Sequence, residues 1–384
     1  MNNFTFHNPV KIVFGQGTIG NLDKLLPNDA AVLMIYGGGS IKKNGVYEQV
    51  TDALKNRSWK EFPGIEPNPH FETCMKAVEL IRKEKITYLL AVGGGSVIDA
   101  TKFISAAACF EGNDAWDILA KGSPVEKTLP FGCILTLPAT GSEMNNGAVI
   151  TRASTREKLA VHSELFFPVF SILDPITTYS LPDRQTANGI IDAFVHVCEQ
   201  YLTYPVDASI QDRFAESILQ TLIEEGPKTL KKPDDYNARA NVMWAATMAL
   251  NGLISCGVPQ DWATHMIGHE ITAFHGLDHA QTLAVVLPAL LKVMKKGKEE
   301  KLLQLGERVF EINIGSIPAR IDATIEDVET FFRSLGAKTK LGEYGLTADV
   351  IEPIAKRFES RGWILGERQD ITPDKVREIL KLAL

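Results

Sequence analysis

The sequence predicts a chain in two parts, an α/β half built on a parallel sheet followed by an all-helical half. Up to about residue 178, short runs rich in Val, Ile and Leu alternate with helical stretches. Beyond residue 180, these runs give way to segments with a 3.6-residue apolar period. With 384 residues, 45% of them hydrophobic, the chain is too long for one core. We therefore expect two domains, 1–178 and 179–384.

Four apolar runs are the predicted strands of the first half. They cover residues 31–36, 86–92, 133–137 and 168–173, and each is followed by Gly, Pro or Asp. Runs without polar alternation are typical of strands that are buried on both faces, as in parallel sheets with crossover helices. The pattern therefore predicts a parallel α/β sheet.

Long segments with the apolar period of a helix predict that the second half is all-helical. They cover residues 185–202, 206–225, 236–255, 289–311, 323–335 and 372–384. Gly226-Pro227 and Gly257-Val258-Pro259 separate some of these segments, and such pairs are typical helix stops.

Composition and charge argue against several classes of partner. The net charge of -7 is spread along the chain without a concentrated basic face, so nucleic acid is not an expected partner. The N-terminus lacks the apolar core of a secretion signal, and the longest apolar run, 282–291, contains a proline. That run is about half the roughly 20 residues of a membrane span. We expect a cytoplasmic protein with no membrane partner, whose five scattered cysteines are reduced and buried.

Two predicted strands end in the same tetrapeptide, Gly37-Gly38-Gly39-Ser40 and Gly93-Gly94-Gly95-Ser96. Glycines let a backbone approach a ligand closely, and the helix that follows offers free N–H groups to a phosphate. Two such loops in one sheet favour a Rossmann-like dinucleotide site over simple tight turns, although the GxGxxG spacing is absent. A third loop, 136–143, is rich in small hydroxyl residues that could bond ribose or phosphate, or only cap a helix.

Residue 39 bears on the choice of nicotinamide cofactor. A carboxylate at the end of a strand usually holds the ribose of NAD and repels the 2′-phosphate of NADP. Here the position is Gly39, followed by Ser40, Lys42 and Lys43. Hydroxyl and backbone donors could accept a 2′-phosphate, so the sequence favours NADP. The alternative is that the two lysines only solvate a helix start.

A carboxylate and a histidine share one face of an apolar helix. Asp192 and His196 are four residues apart, and the residues around them, such as Ile191 and Phe194, leave little of the helix for water. A polar stripe facing solvent is the ordinary reading of such spacing. A carboxylate in these surroundings, however, must be paired or bound to metal.

Four histidines, His265, His269, His275 and His279, lie within residues 261–281. In one unbroken helix His265 and His279 would be about 21 Å apart, too far for one ion. We therefore expect the chain to turn at 274–276. One carboxylate with three imidazoles suits Zn(II) or Fe(II) rather than Mg(II) or Ca(II). The spacing alone leaves His269 as an alternative to His265.

Together these motifs resemble the iron-containing, group III alcohol dehydrogenases along essentially the whole chain. The resemblance begins at Phe14-Gly15-Gln16-Gly17, continues through both glycine loops, and includes 171–199, which fits the family's first signature. Within the family, the chain is similar to the NADPH-dependent aldehyde reductase and butanol dehydrogenase branch. The resemblance implies a dehydroquinate synthase-like fold, with a Rossmann-like nucleotide-binding domain and an all-helical metal-binding domain, and a homodimer.

The resemblance also implies roles for individual residues. The metal ligands are then Asp192, His196, His265 and His279. His269 would lie near the metal without bonding to it. The cofactor loops would comprise Gly37, Gly38, Gly39, Ser40, Gly94, Gly95, Ser96, Asp99, Thr136, Thr140 and Lys158. The second family signature differs here at Gly268-His269 and Asp278-His279-Ala280, which bears on pocket shape and substrate more than on metal binding.

The function expected from this resemblance is reversible hydride transfer between NADP(H) and a small aldehyde or primary alcohol. The metal, Fe(II) or Zn(II), would polarise the carbonyl, and His269 or a water would relay the proton. A lyase of the 3-dehydroquinate synthase type is the alternative, but its basic pocket residues are absent from 185–200. A non-enzymatic nucleotide sensor stabilised by metal is the remaining reading.

Overall fold

The computed structural model describes all 384 residues, and contacts divide the chain into two compact units. The sheet unit comprises His7–Leu181 and Pro233–Thr247, and the helical unit comprises Met1–Phe6, Pro182–Lys232 and Met248–Leu384. A single division after residue 178 therefore does not describe the contacts. Residues 1–6 belong to the helical unit, and residues 233–247 belong to the sheet unit. Independent folding of either unit stays a prediction.

A six-stranded parallel sheet, in the order β1-β8-β5-β4-β2-β3, forms the centre of the sheet unit. The strands of the unit are β1 (Lys11–Phe14), β2 (Val32–Tyr36), β3 (Trp59–Phe62), β4 (Tyr88–Gly94), β5 (Phe131–Leu137), β6 (Gly147–Arg152), β7 (Glu157–His162) and β8 (Phe170–Leu173). The strands β6 and β7 form a separate antiparallel hairpin. The predicted parallel sheet is confirmed.

The four predicted strands correspond to the buried strands β2, β4, β5 and β8. The prediction missed β1 and β3, which lie at the two edges of the sheet, are four residues long each and are partly exposed. Edge strands need apolar side chains on fewer positions, so their sequence signal is weak.

The helices of the sheet unit cover both faces of the sheet. They are α1 (Leu22–Leu25), α2 (Val46–Leu54), α3 (Phe71–Glu84), α4 (Gly95–Ala107) and α5 (Asp117–Ala120). Alternate residues of β2 enter two different cores: Met34 packs with residues of α1 and α2, whereas Leu33 packs with residues of α3 and α4. This alternation follows from the two-residue period of a strand.

The helical unit contains eight helices that begin after residue 182. They are α6 (Asp183–Tyr201), α7 (Ser209–Lys231), α9 (Ala263–His275), α10 (His279–Met294), α11 (Glu299–Val309), α12 (Ile317–Ser334), α13 (Ile351–Arg361) and α14 (Pro373–Ala383). One further helix, α8 (Tyr236–Ala249), lies almost wholly in the sheet unit. Apart from short 3₁₀ turns and one isolated bridge between Leu365 and Ile371, the unit is all-helical, as predicted.

Two predicted helix boundaries are wrong. Gly226-Pro227 does not stop a helix, because α7 continues to Lys231 with Pro227 inside it. Gly226 lies against Ile190 of α6, where an added Cβ would come within 3.1 Å of Ile190 Cγ2, so the glycine serves close helix packing. The predicted segment 289–311 is instead divided between α10 and α11.

Two composition-based expectations can be compared with the structure. None of the helices combines the length and the hydropathy that a membrane span needs. All five cysteines are free thiols, but only four are buried. Cys109 is partly exposed, because it follows the last turn of α4 at the edge of the core.

Candidate metal centre and nucleotide loops

Helix α6 places two predicted metal ligands, Asp192 and His196, in a nearly dry environment. Their exposed fractions are 3% and 4%. On the other faces of α6, Ile191 and Phe194 are fully buried, and Phe194 packs on Phe331 and Phe332 of α12. The apolar packing holds α6 in the core, so its two polar ligands cannot rotate into water.

The chain turns between α9 and α10, as the sequence predicted. Helix α9 ends at Gly276, whose φ of 73° is in the left-handed region that favours glycine. Helix α10 begins three residues later at His279, and the backbone N–H of its N-cap residue Asp278 donates to Gln281 Oε1 at 3.2 Å. This turn returns His279 to the side of His265, with ring centroids 5.1 Å apart.

Three of the four predicted ligands, Asp192, His265 and His279, have ligand atoms within 4.8 Å of one another, and His196 adjoins this group through Asp192. Asp192 Oδ1 lies 3.7 Å from Nε2 of His196, 3.7 Å from Nε2 of His265 and 3.6 Å from Nε2 of His279. Ligand atoms around a tetrahedral metal with bonds of about 2.1 Å lie about 3.4 Å apart. His265 Nε2 is buried and has no hydrogen-bond partner. A metal ion would satisfy this buried polar atom. The residues therefore fit a divalent metal.

Burial and charge set different states for two of these histidines. Burial lowers the pKa of His196 to about 4, which favours the neutral imidazole that a metal requires. Burial opposes a charge on His265 as well, but the carboxylates of Glu199 and Asp192 outweigh it and raise the pKa of His265 to about 9. The two carboxylates thus favour a positive charge at this point, carried by a proton or by a metal ion.

Glu199 is a residue that the sequence analysis did not single out as functional. Its Oε2 contacts His265 Nδ1, and its Oε1 accepts the backbone N–H of Thr264 at 2.6 Å. Glu199 lies seven residues after Asp192 on the same helix, and this spacing was a signal in the sequence that could have found it.

The rings of His269 and Trp262 lie beside the proposed ligands. His269, one turn after His265, has its ring centroid 5.2 Å from that of His279. Trp262 has a φ of 61°, unusual for a residue with a side chain, and its ring packs edge-on against His265 at 5.4 Å. His275 is exposed and is the last residue of α9.

The difference from the family at Gly268 has a steric reason. An added Cβ at Gly268 would lie 2.6 Å from Thr282 Oγ1 in α10. Thr282 is fully buried and donates its hydroxyl hydrogen to the carbonyl of His279 at 2.6 Å. The glycine therefore lets the two helices that carry His265 and His279 approach closely.

The second glycine loop joins strand and helix directly, as predicted: β4 ends at Gly94 and α4 begins at Gly95. An added Cβ at Gly95 would lie 2.4 Å from Thr140 Oγ1, so the loop at 94–96 packs tightly on the third loop. Thr136 is buried near the end of β5. The N–H groups at the start of α4 are the ones suited to a phosphate.

The first glycine loop differs from the expectation. After β2 the chain forms a 3₁₀ turn, Ser40–Lys42, and α2 begins only at Val46. Gly39 has a φ of 93°, and an added Cβ there would meet nothing within 4 Å. Lys42 does more than solvate a helix start, because its ammonium lies 4.6 Å from the ring centroid of Tyr47 and 3.5 Å from Glu61 Oε2.

Asp99 and Lys158 are engaged with other protein groups in the sheet unit. Asp99 Oδ1 accepts the hydroxyl hydrogen of Ser142 at 2.6 Å, and Oδ2 accepts the N–H of Val149 at 3.0 Å. Asp99 thus ties the third loop to β6. Lys158 donates to Asn68 Oδ1 at 2.8 Å. Lys102, which belongs with Asp99 to the family resemblance after the second glycine loop, is fully buried and donates to Asn145 Oδ1 at 2.8 Å.

Fold and site together define a class of proteins in which a parallel sheet with glycine-rich loops is joined to a helical unit carrying a buried cluster of one aspartate and three histidines. The chain belongs to the iron-containing alcohol dehydrogenase family. The family's model matches residues 9–175, and the model of the family's C-terminal part matches residues 186–384. The resemblance inferred from the sequence motifs is confirmed.

Full-length relatives support the same assignment. The NADPH-dependent aldehyde reductase YqhD of Escherichia coli strain K12 is 59% identical over 386 aligned positions, covering 100% of both chains. The crystal structure of that protein matches with a TM-score of 0.99 at 58% identity, over 100% of this chain and 99% of the other. The NADH-dependent butanol dehydrogenase A of Thermotoga maritima matches with a TM-score of 0.95 at 39% identity, over 100% and 99%.

Proposed function

We propose that this protein is a metal-dependent oxidoreductase that transfers hydride reversibly between NADP(H) and small aldehydes or primary alcohols. The observation that carries the proposal is the convergence of three imidazole Nε2 atoms on Asp192 Oδ1 at 3.6–3.7 Å. The similarity to an NADPH-dependent aldehyde reductase supports the choice of cofactor and substrate class.

Asp192, His196, His265 and His279 are the proposed ligands of one divalent metal, Fe(II) or Zn(II). A metal held there supplies Lewis-acid polarisation of a substrate carbonyl, and NADPH supplies the hydride. One carboxylate and three neutral imidazoles leave a divalent ion with a net positive charge, so the cluster attracts an electron-rich oxygen. Asp192 and His196 are at most 4% exposed, whereas the His279 side chain is 23% exposed, so the cluster is accessible to a ligand on the His279 side. His269 is the proposed proton relay, because its ring lies beside His279.

The proposed cofactor site uses the loops of the sheet unit. Backbone groups of Gly37, Gly38, Gly39, Gly94 and Gly95 would approach the phosphates, with hydroxyls of Ser40, Ser96, Thr136 and Thr140 and the ammonium of Lys158 as donors. The open space at Gly39 leaves room for a 2′-phosphate, which supports NADP over NAD. Asp99 has its oxygens engaged by Ser142 and Val149, so its proposed part is to hold the loop.

Cellular context and assembly are also proposals. We infer a cytoplasmic enzyme that works as a homodimer, from the composition and from membership of the family. Gel filtration with light scattering tests the dimer directly. A mass of one chain, 42.2 kDa, would contradict it.

The test of the proposed function is NADPH oxidation with butyraldehyde by chelator-stripped protein, before and after Fe(II) or Zn(II) is restored. NADH is run in parallel. We expect activity only with metal and a preference for NADPH. A folded, metal-free protein with full activity would overturn the proposal.

Asp192→Ala separates metal binding from cofactor binding. We expect the variant to lose its metal and its activity, because the carboxylate that faces all three imidazoles is gone, and to bind NADPH as the wild type does. Asp183→Ala is the matched control, since Asp183 is exposed in the first turn of the same helix. An active Asp192→Ala enzyme would contradict the ligand set.

A further inference from the structure

Glu199 is a buried carboxylate that lies near the proposed metal site but belongs to none of the predicted ligand sets. It is on α6, three residues after His196, and only 3% exposed. A buried carboxylate needs compensating donors, and all of the hydrogen bonds described for this side chain come from one other helix, α9.

The Glu199 carboxylate makes two kinds of contact with α9. Its Oε1 accepts the backbone N–H groups of Thr264 at 2.6 Å and of His265 at 3.3 Å. Helix α9 has no side-chain cap from its N-cap residue Trp262, so Glu199 satisfies two of the free N–H groups of its first turn. Its Oε2 contacts Nδ1 of the His265 ring.

We propose that Glu199 is a positioning residue for metal binding, which holds His265 with the proton on Nδ1 and the lone pair of Nε2 facing Asp192. A carboxylate can only accept a hydrogen bond, so its partner Nδ1 must carry hydrogen. In the neutral ring that a metal requires, the opposite atom, Nε2, is free of hydrogen, and it lies 3.7 Å from Asp192 Oδ1 without a hydrogen-bond partner. Carboxylates that orient ligand histidines in this way change metal affinity by about 10–100-fold.

A purely structural role as the cap of α9 is the competing explanation, and Glu199→Gln distinguishes the two. The amide oxygen of glutamine can still accept from Thr264 and His265, so the cap is retained. The amide NH₂ group, however, donates to Nδ1 and so moves the ring hydrogen to Nε2, where it faces the metal position. The opposite orientation of the amide is unfavourable, because it would place the NH₂ group against two backbone N–H groups.

The inference rests on the metal site of the proposed function, so the test measures metal binding rather than activity. Zn(II) affinity of the metal-free protein is measured by competition with a chromogenic chelator. We expect Glu199→Gln to bind Zn(II) about 10–100-fold more weakly than the wild type. We also expect the melting temperature of its metal-free form to fall less than that of Glu199→Ala, because the glutamine retains the cap of α9. Long-range ¹H–¹⁵N spectra of the Zn(II)-loaded wild type should show the one remaining ring hydrogen of His265 on Nδ1, and a signal from hydrogen on Nε2 would contradict the positioning role.

Two further variants control for charge and for the cap. Glu216→Gln removes another buried carboxylate of the helical unit, which accepts the hydroxyl hydrogen of Tyr201 at 2.9 Å, and should leave Zn(II) affinity unchanged. Glu199→Ala should lose both metal affinity and thermal stability. If Glu199→Gln binds Zn(II) as tightly as the wild type, the positioning role is wrong and the cap alone remains. If the wild type itself binds neither Zn(II) nor Fe(II), the metal site of the proposed function fails.

Discussion

Gly38 and Gly95 lie in the two glycine loops of the sheet unit, but only Gly95 is enclosed by neighbouring atoms. An added Cβ at Gly95 would come within 2.4 Å of Thr140 Oγ1 and 2.5 Å of Thr140 Cγ2, whereas one at Gly38 would meet nothing within 4 Å. Packing therefore requires glycine at position 95, whereas position 38 has open space around it.

For Gly95→Ala we expect lower stability, by about 1–3 kcal/mol, because the methyl group forces apart the loops at 94–96 and 140. Gly38→Ala should unfold at the same urea concentration as the wild type but bind NADPH about tenfold more weakly, since the methyl group occupies the proposed phosphate space. Urea unfolding and NADPH titration of the two variants measure these effects. Tight NADPH binding by Gly38→Ala would place the phosphates elsewhere.

Residue types and spacing were enough to nominate the aspartate and histidines, because a carboxylate in an apolar helix is costly and therefore conspicuous. The same argument did not identify Glu199 as functional. Glu199 is followed by Gln200 and Tyr201 at the end of α6, and this sequence is typical of the polar end of a helix. Its role depends on the first turn of α9, more than sixty residues away in the chain. The seven-residue spacing after Asp192 places Glu199 on the same side of α6, but it does not predict the contact with α9.

At the scale of elements, the packing of α9 on α10 decides how two of the proposed ligands meet. His265 is on α9, and His279 is the first residue of α10. Between the helices, Gly268 faces Thr282, whose hydroxyl group occupies the space that an added methyl group would need. The absence of a side chain at Gly268 thus allows a close approach of the two helices at Thr282.

Gly268→Ala should destabilise the protein by about 1–3 kcal/mol through overpacking, although alanine favours a helix over glycine by up to about 1 kcal/mol. Removing the obstructing hydroxyl in Gly268→Ala/Thr282→Ala should recover part of that loss. A double-mutant cycle from chemical unfolding, with Zn(II) affinity measured in parallel, gives the coupling energy. Strictly additive effects of the two substitutions would show that the predicted clash does not occur.

At the scale of the whole molecule, the two units are not two successive segments of chain. Helix α8 follows α7 in sequence but contributes to the core of the sheet unit, where Met243 is fully buried. Thr247, in its last turn, donates a hydrogen bond to the buried Glu143 Oε1 at 2.6 Å. Part of the sheet unit's stability therefore comes from residues some fifty positions beyond its main segment.

Met243→Ala tests this contribution. We expect a loss of about 2–5 kcal/mol in stability, because the substitution leaves a cavity in a fully packed core. Amide hydrogen exchange should become faster in β4 and β5, the central strands of the sheet unit. Asn241→Ala, on the exposed face of the same helix, is the control and should change neither quantity. Unchanged exchange in β4 and β5 would mean that α8 is not part of the sheet unit's cooperative core.

The sequence by itself determined the parallel sheet, the switch to helices near residue 180, the turn before His279 and the membership of the family. These features follow from apolar periodicity, from glycine and proline positions and from short motifs, all of which are local along the chain. Only the tertiary structure decided that α7 passes through Pro227, that α8 joins the sheet unit, and that Glu199 caps α9 and contacts His265. Each of these depends on which distant surfaces pack together, because burial between elements overrides the local preference of a residue.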